Sequence, residues 1–222
     1  MARTNQGADE TESFLEGPRR TAAIACVLAA IVLVVLDSAI ANVALPAIAR
    51  SLQVTPAVSV RVITVYQMAL VMTLLPCAAL GESIGYRRVY TAGVALFTGA
   101  SALCAFAPSL PWLVLARFVQ GLGGACIMSL GVALMRFVVP QSQLGMAIGW
   151  NALAVALGSA AGPTIGAVIL STTSWPWLFA VNIPLGVVIL LGTRALPQVP
   201  GTRRALDLTS NAWVVDHRKR AT

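Results

Sequence analysis

Long apolar runs broken by short polar or proline-containing segments dominate this chain. Runs of about twenty residues, enough to cross roughly 30 Å of hydrocarbon at 1.5 Å per residue, fall at 22–45, 58–80, 89–107, 110–138, 144–170 and 176–196. The breaks between them fall at 46–56, 81–88, 108–111, 140–143 and 171–175, so consecutive spans run antiparallel. This pattern predicts an all-α membrane protein, a six-helix transmembrane bundle over 22–196. It is flanked by a disordered cytoplasmic tail at 1–21 and a second cytoplasmic tail at 197–222.

Composition agrees with the pattern: 58% of residues are hydrophobic, 10% are charged, and mean hydropathy is +0.82. The formal charge of +7 arises mainly from asymmetry. With alternating spans, Arg3, Arg19, Arg20, Arg87, Arg88, Arg136, Arg194, Arg203, Arg204, Arg218, Lys219 and Arg220 fall on one side and Arg50 and Arg61 on the other. Cations in short loops stay on the cytoplasmic side, which places both termini there. With no aromatic-rich basic patch, the basic balance does not point to nucleic acid. The head is no cleavable signal, because Asp9, Glu10, Glu12 and Glu16 dilute its positive charge and the following apolar run is too long. Cys26, Cys77, Cys104 and Cys126 stand singly in separate runs, and His217 is the only histidine. Metal and cofactor sites are therefore not expected, nor is an enzyme. The absence of a phosphate-binding loop points to an ion gradient rather than ATP as the energy source.

Three features carry the candidate chemistry. Gly158, Gly162 and Gly166 recur at i, i+4 and i+8 with Pro163 beside them, which gives a close-packing face and a permitted bend in the fifth run. Asp37 is the one acid well inside a run, and a carboxylate in hydrocarbon must be paired, hydrated or protonated. Arg117 is the one cation inside a run. Each lies about 12 Å below the outer end of its helix, so the two can partner across a common interior cavity. The plainer reading is a static ion pair that fixes helix register. Gln120 and Gly121 share the face of Arg117. Asn42, Tyr66, Gln67, Gln120, Trp150 and Asn151 are candidates to line a substrate cavity, and Asn182 is a further polar residue near a span, although interhelical hydrogen bonding accounts for each almost as well.

These motifs resemble the major facilitator superfamily, and most closely the N-terminal part of its fourteen-span drug:proton antiporters. LDSAIANVALP at 36–46 is similar to the first-span signature that carries the membrane acid, and LVLARFVQGLG at 113–123 resembles the fourth-span motif whose arginine is implicated in proton coupling. Gly149, Gly158, Gly162, Pro163 and Gly166 resemble the fifth-span antiporter motif, with Ala167 where glycine is usual. AALGESIGYRR at 78–88 resembles the cytoplasmic gating motif, in which Glu82, Gly85, Arg87 and Arg88 would form a latch; Ala78, Glu82, Ser83 and Tyr86 depart from the usual residues. Trp175, Pro176, Trp177, Leu178 and Phe179, followed by Asn182 and Pro184, resemble the approach to the sixth span.

The resemblance implies proton-coupled efflux of small lipophilic or cationic molecules by alternating access in a bacterial inner membrane. The implied partners are the lipid bilayer, protons, a small-molecule substrate, and either a second six- to eight-helix half or a homodimer. After the connector 197–204 and a run-in at 205–212, the charged sequence from Trp213 to Arg220 reads as truncation before a further span. The alternative is a non-transporting bundle that acts as an assembly partner.

Overall fold

A computed structural model describes residues 17–198. The helices are α1 (Gly17–Ser51), α2 (Pro56–Ser59), α3 (Arg61–Ile84), α4 (Tyr86–Ala105), α5 (Leu110–Val138), α6 (Leu144–Thr172), α7 (Pro176–Ala180) and α8 (Asn182–Gly192), with 3₁₀ turns at Gln141–Gln143 and Thr193–Ala195. Most of the tail expected at 197–222, with His217, and most of that at 1–21 lie outside the described residues.

The expected runs map onto these helices with revised ends. Residues 17–21 are helical and extend α1 at its start, so they are not part of a disordered tail. The same helix passes through Pro46, where a break is expected. A proline forfeits one backbone hydrogen bond, but Ile48 and Ala49 beyond it are buried, and that packing carries the helix to Ser51. The break expected at 81–88 shrinks to Gly85, whose φ of 112° turns the chain between α3 and α4. The last run is two helices, α7 and α8, joined at Val181, whose backbone stays helical at φ −59° and ψ −29°.

Five segments, all but α4, are long and apolar enough to cross a membrane. The twenty residues of α4 carry Arg87 and Arg88 in the first turn and include Thr91, Thr98 and Ser101, which lower its hydropathy. Outward faces are apolar: Leu75 is 82% exposed, Phe106 81% and Val188 67%. Such faces suit lipid and would be unstable in water.

In the packing, α5 is the central post, with α3 and α4 against it, while α1 packs mainly on α6 and α4 also meets α8. Close approaches use small residues. A methyl group on Gly123 would lie 2.6 Å from the Phe97 amide nitrogen, and one on Gly162 would collide with Ala39. Gly158 faces Val35 and Gly166 faces Val43, so one face of α6 is a seam against α1.

The buried apolar side chains form two clusters. One holds Ala23 to Val34 of α1 with Ile127, Leu130 and Leu134 of α5. The other holds Ile40, Ala44 and Ile48 of α1 with Leu110, Leu113 and Ala116 of α5. Asp37, Arg117 and Gln120 occupy the level between them.

Candidate functional site

Helical spacing aims the site inward. On α1 the buried positions 33, 34, 37, 40, 41 and 44 form one stripe, and on α5 the positions 113, 116, 117, 120, 121 and 124 form another. Asp37 and Arg117 are therefore carried to the interior by the same periodicity that buries their apolar neighbours.

Their side chains meet. Arg117 Nη1 donates to Asp37 Oδ2 at 2.5 Å and to Gln120 Oε1 at 2.6 Å. Asp37 Oδ1 accepts from Asn182 Nδ2 at 2.6 Å and from Gln120 Nε2 at 3.1 Å. Gln120 Nε2 also donates to Ser101 Oγ at 2.8 Å. The guanidinium lies 4.0 Å from the Tyr66 ring centroid and 5.5 Å from that of Phe179. One carboxylate thus draws together α1, α5 and α8, with α3, α4 and α7 contributing around it.

The site is dry: Arg117 is 0% exposed and Asp37 1%. An ion pair taken out of water loses several kcal/mol of hydration per charge, an order-of-magnitude cost that only close geometry and further hydrogen bonds offset. Those bonds are present on both carboxylate oxygens. Some capacity is left over, because Arg117 Nη2, the Tyr66 hydroxyl and Asn182 Oδ1 have no hydrogen-bond partner among the described residues.

Of the candidate cavity residues, Tyr66 and Gln120 join Asp37 and Arg117. Asn42 does not: it is exposed and donates to the Ser38 carbonyl of its own helix. Gln67 and Trp150 are also exposed, and Asn151 is half-buried on α6 away from the network. The pair does not face a cavity as expected, because Tyr66, Phe179, Gln120 and Asn182 pack directly over it. Ser101 was not foreseen. Its only sequence signal is its place on the buried face of α4 with Val94, Phe97 and Cys104.

The other motif residues divide similarly. Gly158, Gly162 and Gly166 line the seam, and Pro163 beside them is exposed. Gly149 has no side chain or neighbouring backbone near its Cβ position, so it lies outside the seam. In the loop motif, Gly85 makes the turn, but Glu82 is exposed and the ion pair of Asp37 with Arg117 is the only one among the described residues. No charged latch is closed there: Glu82 lies at the end of α3, Arg87 and Arg88 at the start of α4, and no ion pair joins them among the described residues. Two of the scattered cysteines meet across α3 and α5, with Cys77 Sγ 2.9 Å from Cys126 Sγ; a separation of 49 positions hides such a contact in the sequence.

Comparison with known proteins agrees with this architecture. The chain is 50% identical over 181 residues to an uncharacterized transporter, YebQ, of Escherichia coli strain K12, covering 81% of this chain and 40% of that protein. It is 34% identical over 164 residues to the riboflavin transporter RibZ of Clostridioides difficile strain 630, covering 73% and 36%. It is 36% identical over 174 residues to the putative multidrug resistance protein MdtD of Salmonella typhi, covering 78% and 37%. The chain thus spans about two fifths of the length of the curated relatives it matches. The profile of the Major Facilitator Superfamily matches residues 27–214. With that match over most of its length, the chain, a multi-pass membrane protein, belongs to the Major Facilitator Superfamily.

Proposed function

We propose that this chain forms the first bundle of a proton-coupled exporter of small lipophilic or cationic molecules, with Asp37 as the proton-carrying group. The observation that carries the reading is the buried carboxylate of Asp37, held at once by Arg117, Gln120 and Asn182. A proton arriving on Asp37 cancels its charge and weakens the hold on Arg117. The contacts joining α1 to α5 and α8 loosen together, and a protonation event becomes a change in helix packing. The unpartnered Nη2 of Arg117 and hydroxyl of Tyr66 are available to a substrate in the loosened state.

Efflux of drug-like molecules is supported by the relative named a putative multidrug resistance protein, and the relative named a riboflavin transporter supports a riboflavin-like cargo equally well. Alternating access requires a second bundle to rock against, whether the remainder of a longer carrier or a second copy. The arginine-rich end, where α1 begins and α8 finishes, faces the cytoplasm of a bacterial inner membrane in this reading.

The test is transport in vesicles by the chain co-produced with the remaining bundle of the Escherichia coli relative. An imposed pH gradient should drive dye accumulation, and Asp37→Asn should abolish that while leaving dye-for-dye exchange across the same membrane. Gradient-driven accumulation by D37N at the parental rate would overturn the assignment.

A further inference from the structure

At the arginine-rich end, α4 and α8 splay apart. Deep in the bundle Gly186 of α8 lies directly against the Thr98 side chain, with no room for even a methyl group. From that contact point the cleft runs over ten residues of α4 to Arg88, and over the last six residues of α8 and the 3₁₀ turn after it to Arg194, about 15 Å and about 12 Å of rise. A cavity of about 1380 Å³ opens between them.

Its lining is graded. Ala92, Ala95, Leu190 and Leu191 form the inner walls, Thr91 and Thr193 follow, and Arg87, Arg88 and Arg194 stand at the mouth. The described residues contain two carboxylates, Asp37 and Glu82. Asp37 is bound to Arg117, and Glu82, on the neighbouring end of α3, makes no ion pair. Three guanidiniums therefore crowd the mouth of an apolar cleft without a countercharge among the described residues.

We propose that this cleft binds an anionic phospholipid, with the phosphate among Arg87, Arg88 and Arg194 and an acyl chain along Ala92, Ala95, Leu190 and Leu191. A phosphate accepts several guanidinium bonds at once, and basic pockets between membrane helices at the water interface suit such headgroups. The apolar walls continue from the charged mouth toward mid-bundle, which fits a molecule with a charged head and a hydrocarbon tail and not a free anion. The cleft is separate from the Asp37 network and independent of the transport reading, because it needs only that this end lie at a membrane surface.

Native mass spectrometry of the purified full chain in detergent doped with phosphatidylglycerol or phosphatidylcholine tests this, with inorganic phosphate as a third arm. Phosphatidylglycerol should be retained selectively. The triple substitution Arg87→Gln, Arg88→Gln, Arg194→Gln should weaken it on the order of 100-fold, at about fivefold per guanidinium. Arg50→Gln with Arg61→Gln, at the other end of the bundle, should leave it unchanged. Ala95→Trp, which keeps every charge and fills the cleft at an exposed position, should also displace the lipid. Equal retention of the two lipids, occupancy by inorganic phosphate that competes with the lipid, or undiminished binding in A95W would each overturn the proposal.

Discussion

Helix α1 is held on two sides by opposite means. Toward α5 and α8 it is held by a charge, the carboxylate of Asp37 with its three hydrogen-bonding partners. Toward α6 it is held by shape, as Val35, Ala39 and Val43 fit the line of Gly158, Gly162 and Gly166. Lipid tails are as apolar as leucine, so burial alone gives helices little reason to associate in a membrane, and both contacts supply the missing specificity. They differ in what can undo them. In the proposed mechanism a proton on Asp37 would cancel the charge, whereas nothing in the cell removes a glycine. Under that proposal the α1–α6 contact persists while the α1–α5–α8 contact is released.

The charged side gives the largest expected effect. Asp37→Leu leaves Arg117 buried without its anion, and breaking such a pair costs about 3–5 kcal/mol. Replacing both, as Asp37→Leu with Arg117→Met, should recover much of that loss, because the uncompensated charge is gone. Reversible unfolding in mixed detergent, followed by circular dichroism, reads both variants. A double variant no more stable than D37L would mean that the two residues do not stabilise each other.

On the shape side, Gly162→Leu forces a branched side chain into Ala39, and overpacking of this kind costs about 1–3 kcal/mol. Gly149→Leu is the matched control: its Cβ position is open, so the change should stay within about 0.5 kcal/mol. Equal penalties at 149 and 162 would show that the seam is not where the packing is tight.

The same division explains what was legible in the sequence. Asp37 and Arg117 stand out because a charge in an apolar run is rare and costly, and similar depth follows from counting along two helices. The i, i+4, i+8 glycines are readable because helical geometry alone puts them on one face. Gly149 carries the same residue type and motif resemblance, but whether a neighbour comes close depends on helix tilt, which sequence spacing does not set. Asn42 and Gln67 are polar residues in apolar runs like Gln120, and only the rotation of each helix decides that they point outward. Ser101 was invisible because a serine in a membrane helix usually bonds its own backbone. It does so here, to the Phe97 carbonyl at 2.8 Å, while also accepting from Gln120. The passage of α1 through Pro46 was likewise hidden, since it depends on burial of the residues beyond.

Ser101 also sets the smallest and sharpest test, because it asks how far the charged side extends. If the polar layer reaches α4, the hydroxyl is a member of the network, and Ser101→Ala should cost about 1 kcal/mol, the net worth of a typical intramolecular hydrogen bond. Gln120 would keep its bond to Asp37 at 3.1 Å, so the loss should stay far below that of D37L. Ser129→Ala is the proper control: its hydroxyl donates to the Ala125 carbonyl of its own helix and makes no hydrogen bond to another side chain among the described residues. In a double-mutant cycle, S101A and Gln120→Leu should couple by about 0.5 kcal/mol or more, since each removes the other's partner. Additive losses, or equal effects of S101A and S129A, would remove Ser101 from the network and leave α4 held to α5 chiefly by apolar packing and the Gly93 and Gly123 contacts.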